Sequence, residues 1–486
     1  MPPSLTRDPG ALATGRFDLL VVGGGIYGLT TACDAAQRGL QVALVERNDF
    51  GSGTSFNHLR TIHGGLRYLQ TLDLRRARTS VRERRALARI APWAVARLPF
   101  VLPLYPSIMK GTMAMRAGFA LDALVAADKN QGVAPEHHLP MGRVLSRADA
   151  QAQYPALRRL AITGAAVWSD YVTTDADRLT LAWASQAAAH GAVLANYVEA
   201  VALTADGGAV SGAEVIDRIS GRTFSIAATC VVNATGGHLN RLLAPHRIEV
   251  PLPLLQAVNV VTRLEGPPVA VGGRSASGRN LFLVPWRGRA LFGTWESPHT
   301  CDAGTLGVRE EHLQAFLTEL NEAFPAFPLT RADVTLVHRG VVPARVGSKG
   351  VPTLDGRELV FVHDGAGLRR ALSVAGTKYT TARAVAEGIV DRVFRWIGRT
   401  PAPCVSANRA LPCVNLTGDA LLAHVAAHEM VVTLADAVVR RTPMGALGLP
   451  AEADLQRAAA VVGNVLGWSE ERQRQEIAVV RRFYES

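Results

Sequence analysis

Cysteine is scarce and scattered. Five occur, at 33, 230, 301, 404 and 413, and no two stand in a C-x-x-C spacing. That argues against a disulfide framework or a zinc site; no metal is expected, and a reducing compartment fits. Long apolar runs are missing as well. No stretch of roughly 18 or more uncharged apolar residues occurs, so no spanning helix is expected. The opening residues, MPPSLTRDPGALATGRFD, lack the apolar core of a signal peptide and read as a loose lead. No basic groove interleaved with aromatics occurs either, so nucleic acid is not an expected partner.

What is present is ample apolar material and positive charge. The 486 residues are 48% hydrophobic, enough for two or three domains with large cores. The net charge of +11 is arginine-rich. It suits an anionic substrate or surface, and equally a solvated basic exterior.

The sharpest local pattern comes first. FDLLVVGGGIYGLTTACDAAQRGLQVALVE reads as a buried strand from Asp18 to Val22, a glycine turn, a helix from about Tyr27 to Arg38, and a second strand ending on Glu46. A lone G-x-G-x-x-G is weak, but here it sits between strand and helix and an acidic residue closes the next strand. Gly23 permits the tight turn, Gly25 lets a pyrophosphate approach, and Gly28 lets the helix pack on the strand. Helix N-terminal amides would hold the pyrophosphate, and Glu46 a ribose.

Further along, RRARTSVRERRALARIAPW has helical spacing over about 73–91. Residues 99–126 are apolar with cationic interruptions and suit a short interfacial helix or a domain-interface helix. A helix is expected near 176–190, with strands near 193–203 and 210–216. A buried strand from Ala228 to Asn233 runs into Ala234, Thr235 and Gly236, and a hairpin turns at Arg287-Gly288. Residues 371–395 read as strand, glycine turn and helix opening at about 378, and 416–486 as helical. Between these lies TSFNHLRTIHGGLRYL, residues 54–69, too polar for a core helix and too apolar for a solvated loop.

GGGIYG, GSGTSFNHLRTIHGGLRYLQ, VVNATGG, VPWRGRALFGTWE and LSVAGTKYTTAR occur here in the order they take in FAD-dependent glycerol-3-phosphate dehydrogenases. The chain resembles that family, part of the D-amino-acid-oxidase superfamily, over about residues 16 to 484. The resemblance implies an α/β (α+β) architecture: a Rossmann-like FAD-binding domain, an interleaved β-sheet substrate domain and a C-terminal helical domain. The expected limits are a lead at 1–15; the FAD-binding domain at 16–98, 150–240 and 345–400; the substrate domain at 99–149 and 241–344; and helices at 405–486.

It also implies FAD, with Thr54 and Ser55 beside the pyrophosphate and ribityl chain and Gly64 and Gly65 beneath the ring. Ala234, Gly236, Gly376, Thr377 and Tyr379 would complete the cofactor site. His63 and Lys378 would stand at flavin and substrate, and Arg67 and Tyr68 at the substrate. An imidazole titrates near neutrality and suits proton transfer. The implied reaction oxidises the secondary alcohol of a small polyol phosphate, passing electrons to a quinone-type acceptor. Cytoplasmic placement follows, with peripheral attachment to an anionic membrane through the basic run and residues 99–126; a homodimer stays open.

Some positions depart from the family pattern. Its Ser-Gly-Val-Arg-Pro-Leu reads Arg339 to Ala344 here, and Val342 replaces the phosphate-gripping arginine. Asn259 falls where the family has a histidine, Thr294-Trp295-Glu296 replaces Thr-Thr-Asp, and a second family arginine falls near Gly356 and Arg357. Asn57 and His58 are bulkier than the usual hydroxyl residues. Whether Arg339 or Arg345 replaces the missing arginine is open. The alternative is a hydroxy acid, amino acid or sugar derivative as substrate.

Overall fold

The computed structural model describes residues 4–107, 111–158, 160–305, 307–347 and 350–485, with the side chains of Arg67 and Gln70 outside that description. Among the described residues the strands form an eight-stranded and a ten-stranded sheet.

The first sheet is built outward from Arg16–Val22, which runs parallel to Val42–Val45 on one side and Thr223–Asn233 on the other. Ala371–Ala375 is parallel to Thr223–Asn233, and Val193–Ala195 to Val42–Val45. Register decides where the site lies. Val22 stands beside both Val45 and Asn233, and Asn233 beside Ser373. The carboxyl ends of these strands therefore share one edge, and the chain leaves that edge through Gly23, Glu46, Ala234 and Gly376. Ligands of open α/β sheets bind at such an edge. The strands are buried on both faces, which is why they read as continuous apolar runs. Helices Ile26–Gln37, Ala176–Ala189 and Ala382–Trp396 cover one face through Leu29, Ala182, Trp183, Ile389 and Phe394.

Gly28 is a packing residue: a Cβ there would collide with the Gly23 carbonyl. Gly23 has φ 110°, and its Cβ would lie 2.5 Å from the Ala234 oxygen. Both are therefore required by geometry within the protein itself.

The second sheet runs from Pro352–Leu354 through Val334–Val346, Leu254–Glu265, Arg289–Thr300, Asn280–Trp286 and Ala270–Arg274. It continues through Val95–Leu104 and Gly164–Thr173 to Thr61–Ile62. The hairpin turns at Arg287 and Gly288, both with positive φ, as a tight two-residue turn requires. Gly164–Thr173, expected with the FAD-binding segments, pairs instead with Val95–Leu104 along its whole length.

The C-terminal helices Gly418–His428, Glu452–Leu466 and Glu470–Glu485 enclose a core of Leu422, Val425, Leu434, Val438, Val462 and Val480. Phe56, from the long mixed run, inserts into this core.

Three expectations need correction. The lead is not loose: Pro9–Thr14 is a helix with Leu12 fully buried, and the Leu5 amide donates to the His428 carbonyl at 2.8 Å. Residues 99–126 are not one interfacial helix; the strand Val95–Leu104 and the helix Thr112–Val125 share them, while 108–110 lie outside the described residues. The last helix of the first sheet opens at Ala382 rather than 378, so Gly376 to Thr381 form its approach. No helix among the described residues is long and apolar enough to cross a membrane.

Candidate active site

A cavity of about 1450 Å³ runs along the carboxyl edge of the first sheet and under the second. Ligand pockets of roughly 300–1,000 Å³ are usual, so this one has room for an extended cofactor and a substrate. Gly23, Gly25, Glu46, Thr54, Ser55, His63, Gly65, Ala234, Gly236, Gly376, Thr377, Lys378 and Tyr379 all line it. The sheet edge and the mixed run thus bring most of the expected residues together.

At one end, Glu46 accepts from the Gly24 amide at 2.7 Å and the Asn48 amide at 2.8 Å. Burial pushes its pKa up against those two donors. Ser55 Oγ accepts from the Ile26 amide at 2.9 Å, so the helix amide expected at a pyrophosphate is held by Ser55 in this structure. Thr54 donates to the Val341 carbonyl at 2.9 Å, which ties the mixed run to the second sheet.

At the other end, Lys378 is buried, and its Nζ donates to Ser80 Oγ at 2.8 Å and lies 4.5 Å over the Tyr68 ring. Tyr27 donates its hydroxyl to the Lys378 carbonyl at 3.1 Å, and burial pushes its pKa up, so the hydroxyl keeps its proton. Tyr68 is buried, with Lys378 Nζ over its ring, and does not itself line the cavity. The Arg67 side chain lies outside the described residues. Gly64 borders a separate cavity of about 10 Å³ with Arg84, Asp122, Lys129 and Asp170, and its amide donates to Asp170 Oδ1 at 2.8 Å.

The two arginines near the missing one differ in their place relative to the cavity. Arg339 lines the cavity, and burial lowers its pKa. Arg345 is off the wall, its side chain 60% exposed and 3.8 Å from Asp355, which Arg357 also holds. Val342 packs with Leu255, Ala257 and Ala344, so the wall is apolar where the resemblance places a cation. Asn259 accepts from the Thr294 hydroxyl at 2.7 Å, and Glu296 from the Leu354 amide at 3.2 Å.

The departure at His58 opens a buried polar cluster. His58 Nδ1 accepts from the Arg60 amide at 3.0 Å, and its ring stacks on Tyr379 at 5.1 Å. Arg60 is fully buried between Phe56 and Trp286, near Asp177 and His338. Burial, with Arg60 adding, holds both histidines well below their ordinary pKa, and burial pushes Asp177 up to about 6. The unfolded chain therefore takes up two histidine protons below about pH 6.5 that the folded chain refuses. Each costs on the order of 1 kcal/mol of stability per pH unit. Asp177 opposes this, because its folded carboxyl protonates before the unfolded one. The cluster should thus lose roughly 1 kcal/mol per unit between pH 6 and 4. Urea melts of the His58→Gln/His338→Gln double variant should show a shallower pH slope. A slope equal to that of the parent would disprove the assignment.

Comparison with known proteins settles the kind of chemistry. A model of the FAD dependent oxidoreductase family matches residues 18–392. The chain belongs to this family. It is 31% identical to a Synechocystis glycerol-3-phosphate dehydrogenase over 82% of its own length and 73% of the relative's. It is 30% identical to the rat mitochondrial glycerol-3-phosphate dehydrogenase over 97% and 73%. A Bacillus halodurans glycerol-3-phosphate dehydrogenase solved with FAD superposes with a TM-score of 0.75 at 24% identity, covering 98% of this chain and 96% of that one. Pyrococcus horikoshii L-proline dehydrogenase shares the fold at a TM-score of 0.58 and 19% identity.

The cavity of this FAD-dependent oxidoreductase fits its cofactor. Glycine turns follow three of the parallel strands, and the volume suits an extended ligand. Gly236, on the cavity wall with φ 62°, has nothing within 4 Å of where a Cβ would stand, so a side chain there would fill space that the bare backbone leaves to a ligand. Residues that sequence reasoning passed over are Tyr27, Ser80, Arg84 and Asp170. The only local signal was the four-residue spacing of Ser80 and Arg84.

Proposed function

We propose that this FAD-dependent oxidoreductase oxidises the secondary alcohol of glycerol 3-phosphate or a closely similar polyol phosphate. One observation carries the reading: His63, Lys378 and Arg339 line the same cavity in a chain whose relatives are glycerol-3-phosphate dehydrogenases. Bound FAD supplies a two-electron acceptor. His63 takes the hydroxyl proton as the carbon is oxidised. Lys378 holds the reacting oxygen through a charged N–H donor, and Arg339 binds the phosphate in place of the residue missing at 342.

A second arm of the cavity, lined by Leu66, Leu69, Leu102, Leu104, Met115 and Leu121, suits an apolar quinone-type electron acceptor. Leu72 also lines the cavity, Met113 and Leu124 share the helix Thr112–Val125 with Met115 and Leu121, and each of the three is more than 70% exposed. In this reading the protein works on the cytoplasmic side and rests its apolar rim on the membrane.

Anaerobic mixing with glycerol 3-phosphate should bleach the flavin's visible band, and free glycerol should do so far more weakly. Bleaching by amino or hydroxy acids, with none by polyol phosphates, would overturn the proposal.

A further inference from the structure

The arginine-rich helix Leu74–Ile90 has much of its charge turned inward. Arg78 and Arg85 pair with Asp128, Arg84 with Asp170, and Glu83 with Arg383. Arg76, Ser80 and Arg84 recur every four residues and share one face. That face meets the candidate active site through Lys378 and Asp170, both on the cavity wall, and packs beside them on Tyr68 and Gly64. Arg76 lies 4.6 Å over the Tyr68 ring and donates to the Gly356 carbonyl. Ser80 Oγ donates to the Arg76 carbonyl and accepts from Lys378 Nζ, each at 2.8 Å. With its one proton committed to the backbone, the hydroxyl offers Lys378 only an acceptor. The Arg84 guanidinium sits against Gly64, where any Cβ would collide with it. Arg84 also pairs with Asp170, which accepts from the Gly64 amide at 2.8 Å and from Trp168 Nε1 at 3.1 Å.

We propose that this helix face is the positioning layer of the active site: Ser80 aims the Lys378 ammonium, and Arg84 with Asp170 fixes the turn that follows His63. The role of Ser80 rests on Lys378 acting at the reacting end of the cavity. None of the three helix residues touches the reacting atoms, so each acts through another. Ser80 is the sharpest point, because a hydroxyl in a fully buried position has one geometry available and removing it costs little volume.

The test is the rate at which an acylating reagent modifies Lys378 in the FAD-loaded protein, read by peptide mass spectrometry at fixed pH. Ser80→Ala removes the acceptor, and Ser80→Cys fills the space with a poor one. Both should raise the Lys378 acylation rate about tenfold, as expected for loss of one charged hydrogen bond. Both should lower kcat by a similar factor with KM nearly unchanged, since a misaimed ammonium loses more in the transition state than in binding. If Ser80→Ala folds poorly, Ser80→Cys carries the measurement. Parent-like acylation in both variants overturns the positioning role whatever the turnover does. Parent-like turnover in Lys378→Met instead overturns the assignment of Lys378, a separate failure.

Discussion

Replacing Lys378 with methionine should lower kcat at least about 100-fold while FAD stays bound. Methionine is close in length and fills irregular space, so the packing around a buried position should survive. What disappears is a charged donor inside a water-poor cavity, where such a group is worth far more than in solution. The dinucleotide end, built from Gly23, Glu46 and Ser55, lies on other elements and is left intact. Lys378→Arg should recover little, because a planar fork cannot take the place of a compact ammonium between Ser80 Oγ and the Tyr68 ring. Stopped-flow reduction of the bound flavin measures the effect directly. A fall of less than about threefold would remove Lys378 from the reaction.

How much of this was legible in the sequence depends on distance along the chain. The opening strand, glycine turn, helix and Glu46 were readable because every determinant lies within a few turns of its neighbour. The hairpin at Arg287-Gly288 was readable for the same reason. The surroundings of Lys378 were not. Its partner Ser80 lies 298 residues away, and nothing in RRARTSVRERRALARI says which arginines face inward. Charge alone pointed that helix at a surface, whereas Asp128, Asp170 and Arg383 decide its orientation. The lead behaved likewise: PGALAT looks like a tail until the burial of Leu12 is seen. The resemblance supplied the mixed run's place at the cavity. Its departures at His58 and Val342 acquired meaning only from their neighbours, a buried cluster and an apolar wall.

The same long-range logic predicts a large effect far from the chemistry. Arg441 is buried and grips Asp49 with both terminal guanidinium nitrogens, Nη2 at 2.6 Å, while its Nε donates to the Glu429 carbonyl at 2.9 Å. Arg440 bonds the same Asp49 and also Asp436, which accepts from the Tyr197 hydroxyl at 2.8 Å. Burial alone would push the Asp49 pKa up, and the two arginines more than reverse it. Arg441→Met would leave a buried carboxylate with half its compensation, at a cost of about 3 kcal/mol. Removing the charge from both sides, as Asp49→Asn with Arg441→Met, should recover part of that loss, because no uncompensated ion remains. Asp49 stands three residues beyond Glu46 and next to Asn48, whose amide holds the Glu46 carboxylate. Loosening this contact should therefore weaken FAD binding as well as the attachment of the C-terminal helices. Urea melts and FAD titration of the single and double variants measure both effects. A single-variant loss below about 1 kcal/mol would mean that Arg440 alone suffices to hold Asp49, because one surviving pair would then satisfy the buried charge.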